Sequence, residues 1–130
     1  MSVATAPGLA IHSVSAARQL FAKLAGASTE VAAVAYLDRN GRLLGLRHIV
    51  GGRDWSVVTP RSVVADALAF GAHAAVVAHN HPSGCAEPSL ADRRATCALA
   101  KALAVIDVRL HDSLIVTATE TTSLRTMGLL

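Results

Sequence analysis

The run Ala74-Ala-Val-Val-Ala78 is short and wholly apolar, and it passes directly into His79-Asn80-His81-Pro82. A strand with one face in water alternates polar and apolar residues, so an unbroken, partly β-branched run of this length predicts a strand buried on both faces. Such a strand needs a layer above it and a layer below it. It also carries its first polar group, His79, out of the core at its C-terminal end.

The flanking sequence supplies the layers. Residues Ser13 to Gly26 have serine caps, helix formers and a terminal glycine, which predict a first helix. Val31 to Asp38 is apolar and of strand length, and Asn40-Gly41 favours a tight turn into a second strand, Arg42 to Val50. After Gly51-Gly52 a short strand is expected at Trp55 to Val58, and Thr59-Pro60 caps a helix running to about Gly71. Asn80 to Pro88 reads as a loop, and Ser89 caps a helix from Leu90 to about Ala104. A strand or hairpin over Val108 to Thr117 and a short terminal helix near Ser123 complete the chain. The expected fold class is α+β: one domain over residues 1–130, a mixed β-sheet flanked by helices in a three-layer α/β/α-like arrangement, with residues 1–12 as a flexible N-terminal tail.

Composition narrows the class. With 52% hydrophobic and 16% charged residues over 130 positions, the chain is neither disordered nor short of a core, so a bound metal would serve function rather than staple the fold. Its apolar runs are too short to cross a bilayer, so no membrane partner is expected. Met1 to Ile11 lacks a basic stretch leading into a long apolar one, and two cysteines make no disulfide framework, which together read as cytoplasmic. The net charge of +3 would suit an acidic partner or nucleic acid, but the only aromatics for base stacking are Phe21, Tyr36, Trp55 and Phe70, and no cationic block is present.

Chemistry concentrates in residues 79–92. Two histidines at i and i+2 on extended chain just past a strand can turn toward one point, and Asp92, one helical turn beyond Ser89, can return to it across the loop. Two neutral imidazoles and one carboxylate leave a tetrahedral position open for water, the pattern of a catalytic zinc site. Taken alone, Ser89 and Asp92 read first as a helix-capping pair, and a lone histidine as a turn residue. Their conjunction with His79-x-His81 at the end of a buried strand favours the metal reading.

His-x-His, then seven residues, Ser, two residues and Asp, resembles the signature of the JAMM (JAB/MPN) metalloproteases. The longer string His79-Asn80-His81-Pro82-Ser83-Gly84, with Pro88-Ser89 and Asp92, is similar to the bacterial RadC-like branch of that family. Glu30 to Asp38 resembles its first core strand, Thr59-Pro60-Arg61 the start of its middle helix, and Ser123-Leu124 with Gly128-Leu129 its C-terminal end. The resemblance implies a cytidine-deaminase-like JAB/MPN fold, Zn2+ held by His79, His81 and Asp92, Glu30 as general base for a zinc-activated water, and Ser89 as donor to the developing oxyanion. It implies a zinc metallo(iso)peptidase whose partner is a protein or peptide, for instance the C-terminal tail of a ubiquitin-like modifier, added beside a sheet edge. An edge so used would serve homodimerisation as well. The alternative is a DNA-associated or inactive metal-binding module.

Among the three glutamates, Glu87 lies in the metal loop and Glu120 in a polar turn, whereas Glu30 immediately precedes an apolar run and can stand at a strand end beside the site. The bland reading of Glu30 is a solvated residue between helix and strand. The chain departs from the RadC-like pattern at Ser62 and Cys85, where acids are usual, and at Asp112-Ser113, where Asp-His is common. It reads as the catalytic domain without the helical N-terminal domain of full-length members. Cys85 has two readings, an inert loop thiol or a redox-sensitive plug for the open metal position. Cys97, among Ala and Leu in a helix, is expected in the core. His12, His48 and His73 receive no role, and Arg93-Arg94 read first as a solvated helix face.

Overall fold

A computed structural model describes residues 2–4, 14–50 and 58–130. Its strands are β1 (Ser2–Ala4), β2 (Val31–Leu37), β3 (Leu43–Val50), β4 (Ala74–Asn80), β5 (Arg109–Val116) and β6 (Thr121–Ser123). Its helices are α1 (Val14–Leu20), α2 (Pro60–Phe70) and α3 (Leu90–Val105), with a 3-10 helix at Ala22–Gly26. They build one mixed sheet in the order β1-β3-β2-β4-β5-β6. Every neighbouring pair is antiparallel except β4 and β5, which run parallel because the chain returns through α3.

The strand predicted to be buried on both faces is β4, at the centre. Ala75 to Asn80 are all buried, and side chains alternate between two cores. One core joins Ala32, Val34 and Tyr36 of β2 and Ala75 and Val77 of β4 to Val63 and Ala67 of α2 and Leu99 and Leu103 of α3. The opposite core joins Ala33, Ala35 and Leu37 of β2 and Val76 and Ala78 of β4 to Ala17, Phe21 and Leu24. The α+β, three-layer arrangement is therefore as the sequence predicts.

A polar clamp fixes α2 over the sheet. Arg47 of β3 grips Asp66 of α2 with Nε at 2.5 Å and its terminal nitrogen at 2.9 Å, and Tyr36 donates its hydroxyl to the same carboxylate at 3.1 Å. Burial, then the neighbouring Asp66 charge, pushes the Tyr36 hydroxyl far above its usual pKa, so it stays a donor. The β2–β3 turn is held by Asp38, whose Oδ1 accepts from the backbone of Asn40 at 2.8 Å and Arg42 at 2.9 Å, with Gly41 at φ 78° as the turn requires. At the other side of the sheet, Arg125 donates to the carbonyls of His111 and Leu110, occupying an edge that would otherwise offer unpaired acceptors.

Four expectations need correction. Within the expected tail, Ser2–Ala4 form β1, paired with Leu46 to His48 of β3, because that edge offers free ladder partners. The first helix breaks after Leu20: the amides of Leu24 and Ala27 bond three residues back, and this tighter winding turns Phe21 and Leu24 to the same side, into the core. No helix forms near Ser123; Thr121–Ser123 pair with β5, and the single turn after them ends at Gly128, whose φ of 77° cannot continue a helix. Cys97 is exposed, because the buried stripe of α3 is Asp92, Thr96, Leu99 and Leu103, and Cys97 falls outside it. The remainder of the expected tail and Trp55 to Val57 of the expected short strand lie outside the described residues. Among the described residues, no helix is long and apolar enough to cross a membrane.

Replacing Asp66 by Asn keeps the shape but leaves Arg47, only 19% exposed, without its carboxylate. The variant is expected to lose about 1–3 kcal/mol of stability in urea denaturation, with an unchanged slope.

Candidate metal centre

The parallel pair β4 and β5 ends where α3 begins, the edge at which layered α/β sheets place their ligands. His79, 3% exposed, is the last side chain of β4 on the α2–α3 face. The backbone of the next histidine stays tied to the sheet, since the His81 amide donates to the Val116 carbonyl at 3.1 Å. The loop then closes on itself. The Gly84 amide returns to the His81 carbonyl at 3.0 Å with Gly84 at φ 86°, and Ala86 is buried against Ile115 and Leu124. This folding brings the Cys85 carbonyl within 2.8 Å of His81 Nδ1. A carbonyl can only accept, so Nδ1 carries the proton and Nε2 of neutral His81 presents a lone pair.

Asp92 reaches the same point from α3. Ser89 and Asp92 form a reciprocal capping box: the Ser89 hydroxyl accepts from the Asp92 amide at 3.0 Å, and Asp92 Oδ2 accepts from the Ser89 amide at 2.8 Å. The same carboxylate faces both imidazoles, with Oδ1 3.2 Å from His79 Nε2 and Oδ2 3.3 Å from His81 Nε2. The two Nε2 atoms are 3.0 Å apart. Burial is the largest single influence on the Asp92 carboxyl and opposes ionisation, but His79 and the Ser89 amide together outweigh it and hold the group well below the usual carboxylate range.

This geometry fits a metal ion. Bonds of about 2.0–2.1 Å set ligand–ligand edges of about 3.0 Å in an octahedron and about 3.4 Å in a tetrahedron. The three separations fall in that range: 3.0 Å between the two Nε2 atoms, 3.2 Å from His79 Nε2 to Asp92 Oδ1 and 3.3 Å from His81 Nε2 to Asp92 Oδ2. Two imidazoles and a carboxylate are a donor set for a divalent transition metal rather than for calcium or magnesium. Glu30 approaches the same histidines from the β2 side of β4: one of its carboxylate oxygens and one ring nitrogen each of His79 and His81 lie within 4.8 Å of one another, a group that does not include Asp92.

A model of the RadC-like JAB domain matches residues 11–129. The chain belongs to the RadC-like JAB domain family. This RadC-like JAB domain is 45% identical over 109 residues to a UPF0758 protein of Polaromonas, covering 83% of the chain and 49% of the relative. It is 47% identical over 109 residues to one of Methylibium petroleiphilum (83% and 49%) and 45% identical over 95 residues to one of Vibrio cholerae (72% and 60%). The chain spans about half the length of the first two.

The structure places the expected site residues of this RadC-like JAB domain in two overlapping sets: Glu30 with His79 and His81, and Asp92 with the same two histidines, Ser89 entering through its cap on Asp92. Sequence reasoning missed two contributors. The Cys85 carbonyl orients His81, while its thiol is exposed and, among the described residues, is not in the metal-capable cluster. Asn80, 1% exposed, turns its amide the opposite way from the histidines and bonds the backbone around Glu30. A polar residue at a fully buried strand position was the available signal.

Elemental analysis of the purified protein is expected to find about one metal ion per chain, retained through gel filtration and lost in His81→Ala.

Proposed function

We propose that this domain is a zinc-dependent hydrolase of peptide or isopeptide bonds, acting on an extended protein tail such as the C-terminus of a ubiquitin-like modifier. The observation that carries the reading is the approach of His79 and His81 to within 3.0 Å of each other and 3.2–3.3 Å of the Asp92 carboxylate, with a Glu30 carboxylate oxygen within 4.8 Å of a ring nitrogen of each histidine. Zinc held by two imidazoles and a carboxylate supplies Lewis acidity and lowers the pKa of a coordinated water to about 7.

The chain's own residues divide the remaining work. Glu30, in reach of both histidines, takes a proton from the attacking water and delivers it to the departing amine. The Ser89 hydroxyl accepts from Asp92, which leaves its own proton to donate to the developing oxyanion. Capping and catalysis are compatible because they use opposite sides of one hydroxyl. Asp92 stays ionised because His79 and the cap hold it so.

An anionic partner, nucleic acid included, is a second reading. It rests on the net charge of +3 and on a cleft of about 430 Å³ at the sheet end opposite the metal centre, where Arg39, Arg109, His73 and His111 outnumber the single acid, Asp38.

With the zinc-loaded protein and a panel of peptide and ubiquitin-like isopeptide substrates, Glu30→Gln is expected to retain about one zinc per chain while turnover falls at least about 100-fold. A fully active Glu30→Gln protein would overturn the base assignment. Glycine caps a helix within a few tenths of a kcal/mol of serine, so Ser89→Gly is expected to unfold at nearly the wild-type denaturant concentration. In the same assay its kcat is expected to drop about 100- to 1000-fold for want of the hydroxyl.

A further inference from the structure

The metal ligands stand on regular elements, but Glu30 does not. It lies in residues 27–30, between the 3-10 helix and β2, before the ladder with β4 begins at Ala32. A base carried on an unpaired linker needs something else to hold it. Asn80 meets that need. Its Nδ2 donates to the carbonyls of Thr29 at 2.9 Å and Ala27 at 3.3 Å, and its Oδ1 accepts from the Val31 amide at 2.6 Å. The contacts fall on both sides of Glu30, and the side chain is buried.

We propose that Asn80 is a positioning residue that fixes the Glu30 carboxylate at the metal centre by bridging the backbone before and after it. Strand alternation makes this possible: His79 points to the α2–α3 face, so Asn80 points to the face where the 3-10 helix and its linker lie. Asn80 is covalently joined to both histidines, so the same residue ties the ligand-bearing strand to the base-bearing linker. An amide is required, since two carbonyl acceptors and one N–H donor must be met at once. Aspartate offers only acceptors and would set its charge against two carbonyl oxygens.

The inference rests on the catalytic reading of Glu30, and its test has a readout that needs no substrate. Hydrogen–deuterium exchange is followed in wild type, Asn80→Asp and Asn80→Ser, each loaded with zinc alone. Both variants are expected to keep about one zinc per chain while exchange at Val31, whose amide Asn80 holds, quickens at least 10-fold and amides of β3 and α2 keep their wild-type rates. Asn80→Ser removes the reach of the amide without adding charge, which covers the case in which Asn80→Asp does not fold. On a substrate the wild type cleaves, kcat is expected to fall about 100-fold with KM retained, the cost of a displacement of about 1 Å.

Wild-type exchange at Val31 in the variants would overturn the proposal, as would acceleration spread evenly over the sheet. Local acceleration in a protein that cleaves nothing would uphold the anchor and remove the peptidase reading. Full turnover in both variants of an active enzyme would remove the anchor and leave that reading standing.

Discussion

A strand buried on both faces can present a polar side chain to a ligand only where it leaves the core, and the site depends on that constraint in β4. Between Ala75 and Ala78 its side chains are committed to two apolar cores. His79 is the first that can meet a partner other than hydrocarbon, and the strand's pleat sends Asn80 to the other face. The crossover through α3 then decides what meets His79. Because β5 runs parallel to β4, the chain must enter α3 at the same end, which puts the helix N-terminus, and Asp92 in its first turn, against the imidazoles.

That placement lets one carboxylate satisfy three demands. The first turn of a helix has unpaired amides and a positive dipole end, and Asp92 answers both as the acidic member of the capping box. A buried carboxylate is costly unless polar groups or a cation stand against it, and here the Ser89 amide and the two imidazoles do so. A metal held there completes the same charge balance. The capping reading and the metal reading of Ser89 and Asp92 are therefore one arrangement seen from two sides.

The legible parts of the site were those close together along the chain. His79, His81 and Asp92 fall within one loop and one helical turn, so spacing alone constrains where they can meet. Glu30 is far from them in sequence, and residues alone put it only near a strand end; the family resemblance supplied the rest. The Cys85 carbonyl and the Asn80 amide were not legible because they act on or through backbone, where one residue type can make many different bonds. Of the fold, β2, β3, α2, β4 and α3 announced themselves by apolar runs with caps and turns. The broken first helix, β1 and the C-terminal turn did not, since short elements are settled by tertiary partners: Phe21 and Leu24 by the core beneath them, Ser2–Ala4 by the edge of β3, and Thr121–Ser123 by β5.

The two halves of the centre differ in how they are held. The ligands sit on elements fixed by ladder bonds, a capping box and two cores, so their geometry is set by the same forces that set the fold. Glu30 depends on local contacts outside the ladder, chiefly one buried amide linked to residues 49–53 positions away. On the proposed reading, such a centre can lose its base without losing its metal, because a segment outside the ladder opens locally at less cost than the sheet does. Metal content alone therefore cannot measure competence in this fold; the state of residues 27–31 has to be read separately.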